Sequence, residues 1–354
     1  MRTLDRYLGR TVIAAAVTVT VALVAAFTFF AFLDELNDVG KGGYTVMGAL
    51  QFVLLRVPAL TYQLFPIAAL IGALLGLGTL VANGEMVAIR AAGVSLGRTI
   101  VAVMKSALLL MVAAMLIGEF VAPRSEQFAR NFRSLALSDQ IALRTRNGFW
   151  ARDGNSFINI RTVLPGDRVE NIYIYEFDNH SNLRVSTYAK SAQYTNQQWL
   201  LYDIKQTTFN DNEIRVRRIA RAAWESLLRP ELIGMVVIDP NNLSMWDLTN
   251  YVRYLHQNSQ NAQRYVQALW TKMVYPLATG AMVFLAVPLV FASARMSTVG
   301  GRIVVGSLVG ITFHIVNQAA GHLGVVFDLS PAISVLGPTL IIVLAGVLLL
   351  RRVA

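Results

Sequence analysis

The chain has 354 residues, of which 55% are hydrophobic and only 15% are charged, and it contains no cysteine. Such a composition is too apolar for an ordinary soluble protein, and the lack of cysteine excludes disulfides, thiolate metal sites and cysteine nucleophiles. The formal net charge of +10 does not indicate a nucleic-acid partner, because many basic residues flank apolar segments, where they act as topology signals and membrane-surface contacts.

Three apolar segments come first along the chain. Residues 11–33 carry no charge and, at roughly 1.5 Å per residue, are long enough to cross a hydrocarbon core of ~30 Å. After a glycine-containing loop at residues 34–56, we predict a second span at residues 57–82 and a third at residues 99–122. Pro123 is expected to end the third span.

The middle of the chain, residues 123–271, is polar, and its pattern becomes strand-like between residues 147 and 239. Runs rich in aromatic and β-branched residues recur at a spacing of roughly ten residues, with turn residues between them. The runs are residues 157–160, 172–175, 185–194, 199–204 and 214–219. This pattern predicts an antiparallel sandwich or jelly roll.

A helix is predicted after the β region, because Ser244 is placed as an N-cap with Asp247 three residues later. Leu248, Val252 and Leu255 give this helix an apolar stripe. We expect the stripe to lie on the membrane surface.

Three further spans are predicted at residues 272–294, from residue 303, and from Pro331 to Arg351 and Arg352. The expected fold class is therefore an α-helical membrane protein with six transmembrane helices and an inserted all-β, jelly-roll-like domain. The predicted divisions are a first transmembrane half at residues 1–122, a middle region at 123–271 containing the β domain at 147–239, and a second transmembrane half at 272–354.

Basic residues in the short loops predict the orientation. The two termini, the 83–105 region and the 295–302 loop hold Arg2, Arg6, Arg10, Arg90, Arg98, Lys105, Arg295, Arg302, Arg351 and Arg352. The short loops on the opposite side hold only Lys41 and Arg56. The positive-inside rule therefore predicts that both termini lie in the cytoplasm and that the β domain lies on the outer side of the membrane.

The sequence contains no pattern that indicates chemistry by this chain alone. It has no Walker A sequence, and its histidines show no metal-ligand spacing. We therefore predict a non-catalytic chain with no catalytic residues, no metal site and no cofactor.

Four segments, in their order and spacing, resemble the lipopolysaccharide-export permease family LptF/LptG, and within it the LptG branch more than the LptF branch. The segments are LDRY at residues 4–7, FPIAALIGALLGLG at 65–78, EMVAIRAAG at 85–93 and IGEFVAP at 117–123. The resemblance extends over nearly the whole chain.

This resemblance implies a permease subunit of an ATP-driven exporter in the bacterial inner membrane. The implied partners are an LptF-like permease, two LptB-type cytoplasmic ATPases, an LptC-type bitopic protein and a periplasmic bridge of β-jelly-roll domains. The implied substrate is lipopolysaccharide, taken from the outer leaflet and passed to the bridge.

The chain departs from the family pattern at the outer end of the first span. Members of the family often place lysines there, whereas this chain has Ala31, Asn37 and Asp38. Charge pairing with lipid phosphates is then expected to be weaker, or to come from Lys41, Arg133 or the partner subunit.

The polar loop at residues 83–98 is predicted to be the coupling helix. One face of this helix is apolar and would fill a groove on the ATPase, while a carboxylate beside it would pair with a basic residue there. The predicted coupling residues are Glu85, Met86, Ile89, Arg90, Ala92 and Gly93. A solvated connector is the alternative.

The transport cavity is predicted to form together with a partner, because one six-span chain offers few polar groups for enclosing a bulky amphiphile. The residues predicted to line it are Phe27, Phe30, Phe65, His314 and Gln318. For each of them, ordinary packing is the alternative.

Two other functions stay open at this point. The chain is also compatible with a permease for another lipid or a lipoprotein, because no local motif encodes lipopolysaccharide. A membrane scaffold that displays a β domain is the second alternative, and a neighbouring gene for a second six-span relative favours a transporter over it.

Overall fold

The structure is a computed structural model that describes residues 2–137, 143–153, 155–164, 168–178, 182–195, 198–210, 213–224, 240–258, 260–292 and 298–353. The helices are α1 (Arg2–Glu35), α2 (Val46–Ala82), α3 (Glu85–Ala91), α4 (Leu96–Leu116), α5 (Ala122–Leu137), α6 (Met245–Gln257), α7 (Gln263–Ala292), α8 (Val299–Val326) and α9 (Pro331–Val353). Short 3-10 helices lie at Leu36–Asp38 and Pro240–Asn242, and a π-helical segment lies at Ile117–Val121. The strands are β1 (Leu143–Asp153), β2 (Ser156–Leu164), β3 (Arg168–Phe177), β4 (Leu183–Thr195), β5 (Gln198–Asn210) and β6 (Glu213–Trp224).

Six helical segments are long and apolar enough to cross a membrane, which confirms the predicted number of spans. They are Thr3–Asp38, Val46–Ala82, Leu96–Arg133, Gln263–Phe291, Val299–Val326 and Pro331–Arg352. Most of them are longer than the apolar runs in the sequence. As a result, the predicted divisions at residues 122 and 271 both fall inside continuous helical segments.

The second span begins at Val46, so the prediction of a loop up to residue 56 was wrong. The Thr45 hydroxyl caps this helix by accepting a hydrogen bond from the Gly48 N–H at 3.2 Å. Arg56 gave the region a loop-like sequence, but its Nε lies 3.1 Å from Oε2 of the buried Glu126 on α5. Arginine is a good helix former, and pairing with Glu126 offsets the cost of its charge within the helical part, so the helix includes Arg56.

Pro123 does not end the third span, contrary to the prediction. The α4 helix widens into the π segment Ile117–Val121, where the Ala122 N–H bonds to the Ile117 carbonyl, and the chain then continues as α5. A π turn shifts the backbone hydrogen bonds by one residue and so accommodates a proline that has no N–H to donate. The Lys272 Nζ on α7 lies 2.9 Å from the Gly118 carbonyl oxygen and supplies a hydrogen bond to the widened turn.

The α2 helix lies at the centre of the helical part and packs against α1, α5, α7 and α8. Gly72 allows the close approach of α1, since a Cβ at this position would lie 2.3 Å from the Ala16 Cα. By contrast, α1 and α8 keep exposed apolar faces that include Phe27, Phe30 and Ile315. These faces are available to lipid or to another protein.

The six strands form one antiparallel sheet in sequential order, a meander from β1 to β6. This confirms the predicted antiparallel β region and its five apolar runs, and it adds β1, which the sequence pattern did not show. Residues 225–239 of the predicted β domain lie outside the described residues.

The face that β3 and β5 present to the core reverses once along each of these strands. In β3, Val169 and Ile172 are both buried, and in β5 Leu201 and Ile204 are both buried, so the inward residues are three apart instead of two. Between them, Asn171 and Asp203 have φ angles of 54° and 50°. One residue in the left-handed conformation adds a position to the strand, so the alternation of inward and outward side chains shifts by one residue. Asparagine and aspartate tolerate this conformation better than other side chains with a Cβ.

The α6 helix packs against the sheet and not on a membrane surface, so that prediction was wrong. Its Ser244 cap is confirmed, with the hydroxyl accepting a hydrogen bond from the Asp247 N–H at 3.0 Å. The buried side chains Tyr251, Tyr254 and Leu255 belong to the same apolar cluster as the inward residues of the strands. Burial in this cluster raises the pKa of the Tyr251 hydroxyl.

We predict that Asp203→Val loosens the sheet while Asp203→Gly does not. Valine in the left-handed region costs about 1–2 kcal/mol, whereas glycine adopts it freely. Hydrogen–deuterium exchange of the full chain in detergent should therefore show β4 and β5 amides exchanging about 5–30-fold faster in Asp203→Val than in the parent. Thr207→Val, on the same strand at an ordinary φ, is the control. Equal exchange in the Asp203→Val and Asp203→Gly variants would contradict the role of the left-handed residue.

Candidate functional site

A cavity of about 670 Å³ lies among α2, α7, α8 and the short helix Pro240–Asn242. Its size is that of a site for a small molecule or for the head group of a larger amphiphile. The polar side chains in its wall are Tyr62, Gln63, Asn241, Asn242, Arg264, Gln267, Thr271, Lys272, Tyr275, His314, Asn317, Gln318 and His322. Among the described residues that line it, none carries a carboxylate.

The α7 helix supplies the cationic wall. Arg264, Gln267, Thr271 and Tyr275 recur at three- or four-residue spacing and therefore lie on one face of the helix, with Lys272 beside them. The α8 helix supplies the opposite wall with His314, Asn317, Gln318 and His322. Both helices carry these polar residues in otherwise apolar spans.

An aromatic and cationic junction closes one side of the cavity. The Lys272 ammonium lies 5.7 Å from the centre of the Tyr62 ring, and the Tyr62 and Tyr275 rings lie 4.7 Å apart. The Tyr275 hydroxyl donates a hydrogen bond to the Gln63 carbonyl oxygen at 2.6 Å. Gly118 makes this packing possible, since a Cβ there would lie 2.3 Å from the Tyr62 ring.

The same junction is joined to the β-sheet through Glu119. The Glu119 carboxylate accepts hydrogen bonds from the backbone N–H groups of Met245 at 2.8 Å and Trp246 at 3.4 Å. These are the first residues of α6, the helix that packs on the sheet. A negative charge at a helix N-terminus is stabilised by the unpaired N–H groups and by the helix dipole.

The structure does not bring the five predicted cavity residues together. His314 and Gln318 line the cavity. Phe65 is only 8% exposed and belongs to the core of the helical part, while Phe27 and Phe30 lie on the exposed face of α1. The cavity wall also contains Arg264, Gln267 and Lys272, which were not predicted, although polar residues at helical spacing beside an apolar span are a signal for such a wall.

The predicted coupling segment does form a helix, α3, bounded by glycines in the left-handed conformation. Gly84 precedes it with φ 73°, and Gly93 follows it with φ 85°, a conformation that glycine adopts without strain. The Glu85 carboxylate accepts a hydrogen bond from the Tyr7 hydroxyl at 2.6 Å, which connects α3 to α1.

The outward face of α3 differs from the predicted one. Met86 is 2% exposed and packs into the core of this chain, and Ile89 packs partly against the same core. Val87 is instead 69% exposed, and Arg90 and Ala92 are exposed as well. Met86 thus anchors the helix to its own subunit, and Val87 is its outward apolar side chain.

The cations near the C-terminal end of α1 are paired within the chain. Arg133 pairs with Glu35 and Asp38, and Lys41 pairs with Asp38. Tyr44 completes the cluster by donating to Glu35 at 3.1 Å, and burial together with this hydrogen bond raises the pKa of its hydroxyl to about 12. Lys41 and Arg133, two of the expected sources of charge for lipid phosphates, are therefore already engaged with carboxylates.

Comparison with known proteins places these features in a family. Residues 6–352 match the family described as lipopolysaccharide export system permease LptF/LptG. The chain is 36% identical over 354 residues to the lipopolysaccharide export system permease protein LptG of Haemophilus influenzae, covering 99% of both chains. It is 35% identical over 352 residues to the protein of the same name from Escherichia coli K12, covering 99% of this chain and 98% of that relative. Since the similarity covers nearly the full length, this chain belongs to the lipopolysaccharide export system permease LptF/LptG family.

Proposed function

We propose that this chain is the LptG-type permease subunit of an ATP-driven exporter that extracts lipopolysaccharide from the inner membrane and passes it toward the outer membrane. The observation that carries this proposal is the full-length similarity to two LptG proteins, together with six apolar helices and an inserted antiparallel sheet. The chain is a multi-pass protein of the inner membrane. It is non-catalytic, and ATP hydrolysis belongs to a separate subunit.

We infer that both termini and α3 lie in the cytoplasm and that the sheet lies in the periplasm. Six spans return the chain to the side on which it started. Contacts of Tyr7 with Glu85 and of Asp5 with Lys105 place the N-terminus beside α3 and α4. This end carries most of the basic residues of the short loops, which the positive-inside rule assigns to the cytoplasm.

The partners in this proposal are an LptF-like permease, two LptB-type ATPases, an LptC-type bitopic protein and a periplasmic bridge of jelly-roll domains. The exposed apolar faces of α1 and α8 support association with a second permease, because these two spans have the smallest buried share of the six. The outer strands β1 and β6 support docking of another β domain, since each pairs with only one strand among the described residues.

We assign α3 as the element that receives the motion of the ATPase. Met86 and Ile89, on the inward side of α3, pack into the core together with α2. A displacement of α3 by the ATPase would therefore be transmitted directly to this central span. The outward side of α3 offers Val87 and Arg90, with the Glu85 carboxylate at the helix start. A carboxylate accepts several hydrogen bonds, so Glu85 can keep the bond from Tyr7 and still meet a basic residue of the ATPase.

Reconstitution tests the proposed function as a whole. The chain is co-expressed with the candidate partners, purified as a complex and analysed for bound lipid by mass spectrometry and for ATPase activity. Depletion of the chain in cells should retain lipopolysaccharide in the inner membrane. A complex that carries no lipopolysaccharide, or cells that export normally without the chain, would contradict the proposal.

We predict that Glu85→Lys weakens binding of the ATPase without affecting membrane insertion. Removing one member of a desolvated charge pair costs about 2–5 kcal/mol, which corresponds to roughly 30-fold weaker binding or more. Co-purification of the ATPase and lipid release from proteoliposomes measure the effect. Tyr7→Phe is the matched control, because it removes the bond within the chain but leaves the carboxylate. Parental assembly and export by Glu85→Lys would show that Glu85 does not couple the subunits.

Substitutions at two adjacent residues of α3 should affect two different properties, the stability of the chain and the binding of the ATPase. Met86→Ala creates a cavity in the core and should lower stability by about 2–5 kcal/mol, seen as a lower midpoint of thermal unfolding in detergent. Val87→Asp changes an exposed residue, so we expect an unchanged midpoint but reduced ATPase co-purification. If Val87→Asp still binds the ATPase normally, this face of α3 is not the contact.

Photo-crosslinkers should separate cavity positions from core positions. We expect a crosslinker at His314 or Gln318 to capture lipopolysaccharide in cells, because both side chains line the cavity. A crosslinker at Phe65 should capture no lipid, because this ring is buried among the helices of its own chain. Lipid capture at Phe65 with none at His314 or Gln318 would reverse this assignment.

A further inference from the structure

We propose that the cavity between α7 and α8 binds the phosphorylated sugar head group of the exported lipid, with Arg264 and Lys272 meeting the phosphate and Gln267 meeting a neighbouring polar group. This inference rests on the proposed function for the identity of the lipid. It adds to that function a site within a single subunit and the chemical class that the site recognises.

The first observation is the distribution of charge. Arg56, Lys105, Arg130 and Arg133 of the membrane helices each pair with a carboxylate of the chain. Arg264 on the cavity wall has no such ion pair among the described residues, and no lining residue is acidic. A concave wall with fixed positive charge and no carboxylate attracts an anion.

The second observation is an unsatisfied buried amide. Gln267 is 6% exposed, and neither its amide nitrogen nor its amide oxygen has a hydrogen-bond partner within the described structure. A buried polar group left unpaired is destabilising, so a ligand that supplies both a donor and an acceptor gains affinity here. A sugar hydroxyl or amide next to a phosphate has this combination.

The third observation is the hydrogen bonding of the Lys272 ammonium. One of its three N–H donors bonds to the Gly118 carbonyl at 2.9 Å, which fixes the ammonium at the cavity wall. The side chain is buried and lines the cavity, so its remaining donors can meet a group that occupies the cavity. The nearby carboxylate of Glu119 is engaged by the N–H groups of α6.

The opposite wall of the cavity offers polar partners that suit a sugar phosphate. The amides of Gln63, Asn317 and Gln318 and the imidazoles of His314 and His322 would be poor partners for hydrocarbon. A volume of about 670 Å³ accommodates a head group.

The test uses the purified complex in nanodiscs and compares lipopolysaccharide with the same material after enzymatic removal of its lipid phosphates. We expect the parent to bind the phosphorylated form more tightly, and Arg264→Gln to weaken binding of that form by about tenfold or more and to remove the preference. Arg253→Gln is the matched control, because Arg253 is an exposed arginine on α6 that does not line the cavity. Gln267→Leu, which removes the buried amide, should weaken binding of both forms.

The outcomes separate this site from the proposed function. A parental complex that binds and exports lipopolysaccharide, but whose preference for phosphate is unchanged in Arg264→Gln, would overturn the head-group site alone. A parental complex that binds no lipopolysaccharide would overturn the proposed function. Inorganic phosphate is tested separately, and stabilisation by phosphate alone with no dependence on the lipid phosphates would assign the site to a free anion and contradict the head-group proposal.

Discussion

The backbone of a membrane helix must satisfy its own hydrogen bonds, because hydrocarbon offers no water to replace them. This constraint is met in an unusual way at the π segment Ile117–Val121, where the bond from Lys272 to the Gly118 carbonyl supports the widened turn. The positions of α5 and α6 both depend on this π segment. It lets the third span continue past Pro123 into α5, and it places Glu119 where it caps α6, the helix that covers the sheet.

Much of the fold could be predicted from the sequence, because apolar length and residue period are local properties. The six spans, the runs that became β2 to β6, the Ser244 cap and the glycine after α3 all depend on neighbouring residues. The errors arose where a distant partner decides the outcome. Arg56 stays inside a helix because Glu126 pairs with it, and the stripe of α6 meets a sheet that the helix sequence alone does not reveal.

The candidate site was less predictable for the same physical reason. A period shows which residues share a helix face, but not which other helix that face meets. His314 and Gln318 were recognised as polar residues in an apolar span, and the structure places them opposite Arg264 and Gln267, whose role depends on that juxtaposition. Aromatic residues were poorer guides, since Phe65 serves the core while Phe27 and Phe30 face outward. On α3, the side chain that looked outward-facing, Met86, is the one that anchors the helix.

The α7 helix connects the cavity wall with the π segment and, through it, with the helix that packs on the sheet. It carries Arg264 and Gln267 on the cavity wall, and it also carries Lys272, whose bond to Gly118 supports the π segment. The neighbouring residue Glu119 holds the start of α6, and α6 shares an apolar cluster with the sheet. A ligand phosphate can therefore meet the remaining N–H donors of Lys272 while the bond to the Gly118 carbonyl is kept. The cavity wall and the support of the sheet thus meet at the π segment, where Gly118 accepts a hydrogen bond from Lys272 and Glu119 accepts one from the start of α6.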